Sequence, residues 1–171
     1  MTAERYEKIE AWFRARPAAY ACLKGLSEGL TLLVYISYIF LCLWTLIRDR
    51  KKAPKVIGVP AATYVLGSLV RALINAPRPY EVLEIDPLVP KDTKGKSFPS
   101  RHVFSAGVIA MAFLFVSLPL GIIYIIIALV IAATRVLDGV HWVRDVIAGL
   151  AVGFGAGLAG FFTGSRNQEG R

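Results

Sequence analysis

The chain has 171 residues, of which 56% are hydrophobic, and its mean hydropathy is +0.55. This composition excludes an ordinary soluble domain and favours a one-domain membrane protein. The net charge of +8 would suggest nucleic-acid binding in a soluble protein, but here the charges lie between apolar segments, so no nucleic-acid partner is predicted.

Residues 1–27 form the first predicted segment, in which charged residues are interleaved with apolar side chains on one helical face. These apolar residues are Tyr6, Ile9, Trp12, Phe13 and Tyr20. We expect an amphipathic helix that either lies along the membrane surface or packs on the other helices. No basic region is followed directly by an apolar core, so no signal peptide is predicted.

Residues 28–165 form the predicted transmembrane domain. Four apolar runs fall within it, and their lengths suit helices rather than the short alternating strands of a membrane barrel. The runs cover residues 29–47, 56–70, 103–134 and 146–165. As one helix the third run would be about 47 Å long, against a hydrocarbon core of about 30 Å. It must therefore divide at the Pro-Gly turn signal of residues 117–121, into spans of about 103–118 and 121–137.

The predicted fold is an all-α membrane protein, a bundle of five transmembrane helices with six as the alternative count. The first loop is strongly basic, which places it in the cytoplasm by the positive-inside rule. Its cations are Arg48, Arg50, Lys51, Lys52 and Lys55. The loops 78–101 and 135–145 then lie outside, and residues 166–171 form a cytoplasmic tail.

The last span carries Gly149, Gly153 and Gly157 at intervals of four residues. Such a stripe lets helices approach closely. Packing within the chain is one interpretation, and a homodimer through this stripe is the other. The two cysteines, Cys22 and Cys42, show no pairing pattern and are interpreted as packing residues.

Polar residues gather in three segments that this topology brings to one membrane face. In the first, Arg71 precedes Arg78 by two helical turns, so both side chains point to one face. The second is Ser97-Phe-Pro-Ser-Arg-His102, at the start of the third run. A serine hydroxyl and backbone N–H groups at a helix start favour an anion, although helix capping explains Pro-Ser equally well.

The third segment contains Arg135, His141 and Asp145. The carboxylate stands four residues after the imidazole and can orient it on a helix. A histidine held in this way is a candidate nucleophile or base. The chain has only two histidines, and both fall in these segments among arginines, which bind phosphate oxygens bidentately. The combination indicates a phosphoryl-transfer pocket.

The three segments resemble the motifs of the type 2 phosphatidic acid phosphatase family, which are Lys-x6-Arg-Pro, Pro-Ser-Gly-His and Ser-Arg-x5-His-x3-Asp. The sequence has Arg71-x6-Arg78-Pro79, Pro99-Ser100-Arg101-His102 and Thr134-Arg135-x5-His141-x3-Asp145, in the same order and with the same spacings. The resemblance covers about residues 55–163. It departs from the family pattern at Arg71, Thr134 and Arg101, the last of which replaces a glycine.

The resemblance implies a lipid phosphatase that needs no metal or other cofactor. It implies that His141 is the nucleophile, oriented by Asp145, and that His102 protonates the leaving oxygen and then activates water. It also implies that four arginines and one serine bind the substrate phosphate. These residues are Arg71, Arg78, Ser100, Arg101 and Arg135. Arg101 could add a phosphate contact, point toward the lipid headgroup or disturb the turn.

The expected partners are the membrane and a lipid phosphate of the undecaprenyl diphosphate, phosphatidylglycerophosphate or phosphatidic acid type. The expected location is the bacterial inner (plasma) membrane, with the site on the extracytoplasmic side and a role in lipid metabolism or cell-wall synthesis. The alternatives are a phosphatase of soluble esters, a non-enzymatic lipid-phosphate binding or transport protein, and a small transporter. Vanadium haloperoxidases have a similar anion pocket, but they are soluble.

Overall fold

The computed structural model describes residues 2–83 and 85–163, which form seven α-helices and no strand. The predicted tail, residues 166–171, lies outside the described residues. The helices are α1 Ala3–Arg14, α2 Pro17–Arg48, α3 Ala53–Ile74, α4 Pro79–Val82, α5 Arg101–Val116, α6 Leu118–Leu137 and α7 Val143–Gly157. A π-helical turn, Leu158–Phe162, extends α7.

Four of these helices are long and apolar enough to cross a membrane, namely α2, α3, α6 and α7 with its extension. Between them lies α5, which is apolar but has only 16 residues. The predicted all-α bundle is confirmed, and the third apolar run divides at Ser117, as the turn signal predicts. With 12 residues, α1 is about 18 Å long and too short to span a bilayer, which favours five spans over six.

The amphipathic helix α1 packs on the molecule through Tyr6, which is completely buried. The Tyr6 hydroxyl donates to the carbonyl oxygen of Asp138 at 3.1 Å and accepts the N–H of Leu88 at 3.0 Å. Its ring lies against Gly139, whose φ of +76° and lack of a side chain make this approach possible. The N-terminal helix therefore holds two loops in place at one end of the bundle: the loop that contains Leu88 and the loop that follows α6.

At 32 residues, α2 is about 48 Å long and exceeds the thickness of the hydrocarbon core. It begins at Pro17, so the predicted boundary between residues 27 and 28 falls inside a continuous helix. Its N-terminal part lies beside the polar connections: Tyr20 donates to the carbonyl of Leu88 at 2.8 Å, and Ser27 donates to Asp138 at 2.5 Å. The excess length of α2 thus forms one wall of the polar end.

Helix α5 is the core of the bundle, because α3, α6 and α7 pack around it and every residue from 103 to 113 is buried. The glycine stripe of α7 faces α5: a side chain at Gly153 would collide with the carbonyl of Phe104, and one at Gly157 with Met111. The stripe is therefore occupied within the chain. The homodimer stays a prediction, and it would need another surface.

Candidate active site

Backbone hydrogen bonds bring the three motif segments together at the polar end of the bundle. The N–H of Ser97 donates to the carbonyl of Ala76 at 2.8 Å, which joins the second segment to the first. The N–H of Ser100 donates to the carbonyl of Asp145 at 3.0 Å, which joins the second to the third. This geometry agrees with the prediction that the three motif segments lie together at one membrane face.

The centre of the site is a buried cluster of His141, Asp145 and Ser97. Nδ1 of His141 lies 3.4 Å from Oδ2 of Asp145 and 3.3 Å from the Ser97 hydroxyl. The same carboxylate oxygen accepts the Ser97 hydroxyl at 2.5 Å and the backbone N–H of Trp142 at 3.0 Å. Because the carboxylate occupies the Nδ1 side of the ring, Nε2 is the nitrogen available to a substrate.

The environment of His141 favours its neutral form. Burial lowers the pKa of His141 to about 4, and the positive charges of Arg78 and Arg71 act in the same direction. The hydrogen bond that the Asp145 carboxylate accepts from His141 offsets only part of this lowering of the pKa. A neutral imidazole carries the lone pair that a nucleophile or base requires, so His141 is in the reactive form at pH 7.

Two buried guanidinium groups face this cluster. Arg71 and Arg78 are 7% and 2% exposed, and neither makes an ion pair among residues 2–83 and 85–163. Arg71 donates to the carbonyl of Pro99 at 3.1 Å. Arg78 donates to the carbonyls of Gly95 at 3.0 Å and Val140 at 3.3 Å. Buried cations without carboxylate partners are the arrangement that binds an anion.

Ser100 and Arg101 stand at the start of α5 but point in different directions. Ser100 is fully buried, and its hydroxyl has no hydrogen-bond partner in the described part of the chain. It lies at the helix N-terminus, where N–H groups favour an anion. Arg101 is exposed, and its guanidinium carbon lies 5.9 Å from the centre of the Tyr64 ring, with Nη1 3.5 Å from the Tyr64 hydroxyl. Arg101 therefore flanks the site on the α3 side.

His102 and Arg135 form a second part of the site, next to the cluster of His141, Asp145 and Ser97. His102 is half-buried and close enough to interact electrostatically with Arg135 and His141. Nη2 of Arg135 donates to the carbonyl of Ser27 at 2.8 Å and the hydroxyl of Thr31 at 2.9 Å, so α2 fixes this guanidinium. Its buried Nε–H has no partner among the residues that the structure describes.

Asp138 supports this second part. It is fully buried, and burial raises its pKa to about 6, while the Ser27 hydroxyl and Arg135 favour the ionised form. Oδ2 of Asp138 lies 3.9 Å from Nη1 of Arg135. Sequence reasoning assigned no role to Asp138 or Ser97, because neither position belongs to a motif whose spacing could identify it.

The acidic residues of the outer loop do not surround the site. Glu81 accepts the backbone N–H groups of Arg78 and Gly95, and Asp86 pairs with Arg14 of α1. Glu84 lies outside the described residues. Within residues 2–83 and 85–163, no group of three or more His, Cys, Asp or Glu side chains has the arrangement of a metal site.

The fold and the site together define a helical membrane protein with a cationic, histidine-containing pocket at one end. The profile of the PAP2 superfamily matches residues 52–168, which is more than half of the chain. The chain therefore belongs to the PAP2 superfamily, and the family resemblance of the three motifs is confirmed.

Two solved structures are similar over nearly the whole chain. LpxE from Aquifex aeolicus superposes with a TM-score of 0.72 at 25% identity, covering 93% of each chain. A transmembrane PAP2-type phosphatidylglycerolphosphate phosphatase from Bacillus subtilis superposes with a TM-score of 0.73 at 21% identity, covering 96% of this chain and 88% of that one. No curated protein sequence matches significantly.

Proposed function

We propose that the protein is a metal-independent lipid phosphatase that hydrolyses a phosphomonoester or diphosphate of a lipid through a phosphohistidine on His141. The observation that carries this proposal is the neutral, buried imidazole of His141, held by Asp145 beside two guanidinium groups that have no carboxylate partner among residues 2–83 and 85–163. Membership of the PAP2 superfamily and similarity in fold to the Bacillus subtilis phosphatidylglycerolphosphate phosphatase support the same reaction class.

In the first step, Nε2 of His141 forms a bond to phosphorus while the bond from phosphorus to the leaving oxygen breaks. His102 gives its proton to that oxygen. Asp145 stabilises the imidazolium that develops, and Arg71 and Arg78 neutralise charge on the equatorial oxygens. In the second step, His102 takes a proton from water, the water oxygen attacks phosphorus, and the P–N bond breaks to release phosphate.

A lipid substrate is supported by the position of the site at the end of a membrane-spanning bundle. A phosphate on a bilayer lipid can reach the pocket while its hydrocarbon chain stays in the membrane. The basic loop between α2 and α3 supports an extracytoplasmic site in a bacterial inner membrane, because it lies at the opposite end of the bundle from the site. Undecaprenyl diphosphate, phosphatidylglycerophosphate and phosphatidic acid represent the candidate lipid classes.

Phosphate release by purified protein in detergent with excess chelator tests the proposal. The panel contains lipid monophosphates, lipid diphosphates and p-nitrophenyl phosphate. We expect chelator-resistant release that falls by at least about 10³-fold in His141→Ala, because the nucleophile is lost. Lys24→Ala, an exposed change on α2, serves as the matched control, and thermal unfolding checks that each variant is folded.

The intermediate can be trapped directly. p-Nitrophenyl phosphate carries a leaving group that needs little protonation, so His102→Ala should accumulate acid-labile, alkali-stable phosphoprotein, and His141→Ala should not. Release that requires a divalent metal would contradict the proposed mechanism. Lipid-phosphate binding without release from any substrate would instead identify a non-enzymatic binding protein.

A further inference from the structure

A cavity of about 360 Å³ opens beside His102, and neither Arg71 nor Arg78 belongs to its described lining. This volume lies within the range of small-molecule sites, about 300–1,000 Å³. Its polar wall is formed by Lys91, Arg135, His102, Thr31 and Glu28. Apolar side chains of α2 and of the loop before α5, such as Leu32 and Val89, complete the wall, and Leu32 is exposed on the surface of the bundle.

Cations outnumber carboxylates among the described residues that line the cavity, and Asp138, which is outside this lining, lies 3.9 Å from Nη1 of Arg135. Lys91 and Arg135 are cations, and Glu28, which is exposed, is the only carboxylate in the described lining. Arg135 is 5% exposed, and its Nε–H has no acceptor among the described residues. None of the described carboxylates lies within ion-pair distance of the Lys91 ammonium.

Lys91 is half-buried although it belongs to a loop. Burial lowers the pKa of Lys91 to about 8, and the positive charges of the surrounding arginines act in the same direction, Arg78 and Arg135 first among them. Holding an ammonium among guanidinium groups costs free energy that an anion would recover. A negatively charged ligand that binds beside Lys91 would therefore stabilise its ammonium group.

The position of this cavity beside His102 indicates which part of the substrate it contacts. His102 lines the cavity and protonates the leaving oxygen in the proposed mechanism, so the cavity lies on the leaving-group side. An alcohol that leaves from a lipid monophosphate is neutral and has no need of two cations. A lipid monophosphate that leaves from a lipid diphosphate is an anion, and this cavity complements it.

We infer that Lys91, together with Arg135, binds the inner phosphate of a lipid diphosphate, and that Lys91 determines specificity for diphosphate over monophosphate lipids. This inference rests on the proposed function. His141 attacks the terminal phosphorus, and the bond from that phosphorus to the bridging oxygen breaks. The bridging oxygen, with the proton from His102, becomes an oxygen of the departing lipid monophosphate, whose charge Lys91 and Arg135 neutralise.

The test compares farnesyl diphosphate with farnesyl monophosphate, which share one hydrocarbon chain. Loss of a charge-assisted contact should lower kcat/KM of Lys91→Ala on the diphosphate by about 10–100-fold and leave the monophosphate within about threefold. Lys91→Arg keeps the charge and should retain the preference. Lys94→Ala, an exposed lysine of the same loop, is the matched control and should behave as wild type.

A binding measurement separates this inference from the proposed function. Inorganic pyrophosphate can fill both phosphate positions, so it should raise the Tm of the wild-type protein more than inorganic phosphate does, and Lys91→Ala should abolish the difference. Equal effects of Lys91→Ala on both farnesyl substrates, with both hydrolysed, would overturn the inference and leave the phosphatase intact. A wild-type protein that releases phosphate from no lipid of the wider panel would overturn the proposed function. Absence of a pyrophosphate effect on the wild-type Tm would overturn the inner-phosphate site.

Discussion

The hydroxyl of Ser97 donates a 2.5 Å hydrogen bond to Oδ2 of Asp145, the same oxygen that faces Nδ1 of His141. Ser97 therefore holds the carboxylate that orients the imidazole, without reaching the substrate side of the ring. Removing a hydrogen bond to a charged group costs about 1.5–3 kcal/mol. We expect Ser97→Ala to lower kcat by about 10–100-fold with little change in KM, because orientation and not binding is lost. Steady-state kinetics measure this split, and Ser37→Ala on α2, whose hydroxyl bonds only its own helix, is the control.

The two buried arginines should differ in their tolerance of lysine. Arg71 makes one hydrogen bond to a carbonyl, which an ammonium can replace, whereas Arg78 binds the carbonyls of two separate segments through Nε and Nη1. Lysine lacks this fork. We expect Arg71→Lys to retain kcat/KM within about tenfold and Arg78→Lys to lose about 100-fold or more. Equal losses in the two variants would show that the fork of Arg78 is unimportant.

His141 should remain neutral at a pH where an exposed histidine is charged. Burial lowers the pKa of His141 to about 4, so the nucleophilic form persists as the pH falls through 6.5 and is lost only near pH 4. Because the chain contains two histidines, NMR of histidine-labelled protein, with His102→Asn for assignment, measures this directly. An imidazole signal of His141 that titrates near 6.5 would mean that water reaches the ring freely.

Arg101, which replaces the family glycine, should affect the lipid more than the chemistry. Its guanidinium lies against Tyr64 and its side chain is exposed. We expect Arg101→Gly to change kcat/KM for p-nitrophenyl phosphate by about twofold, as surface substitutions do, and to raise KM for an anionic lipid by more than this. A large loss with the soluble ester would place Arg101 among the groups that bind the transferred phosphate.

Tyr6 should stabilise the site end of the bundle. Its hydroxyl makes two buried hydrogen bonds, to Asp138 and Leu88, which Tyr6→Phe removes while the ring remains. We expect a loss of about 1–3 kcal/mol in the free energy of unfolding, because a buried N–H and a carbonyl lose their partner. Thermal unfolding in detergent measures it, with Tyr64→Phe, a partly exposed tyrosine, as the control. An unchanged Tm would contradict a fastening role for α1.

Motif spacing was sufficient to predict the pairing of His141 with Asp145, since the two residues are only four positions apart in the sequence. The pairing does not need a helix at His141, because His141 precedes α7 and Asp145 lies in its first turn. The division of the third apolar run followed from bilayer thickness and one turn signal. Ser97 and Lys91 could not be found in this way, because their positions depend on how the loop before α5 folds against α2 and α7. The anchoring of Arg135 on α2 was also missed, since a long-range hydrogen bond leaves no periodic pattern.

The shortness of α5 has a consequence for the membrane around the protein. A 16-residue helix is about 24 Å long, several ångströms less than a hydrocarbon core of about 30 Å. Since α5 carries His102 in its first turn, a shortfall at this end of the helix would place the reacting phosphate below the plane of the lipid headgroups or would require the bilayer to thin locally. Turnover should accordingly depend on acyl-chain length in the host bilayer, with shorter lipids lowering the work of bringing a charged headgroup to that depth.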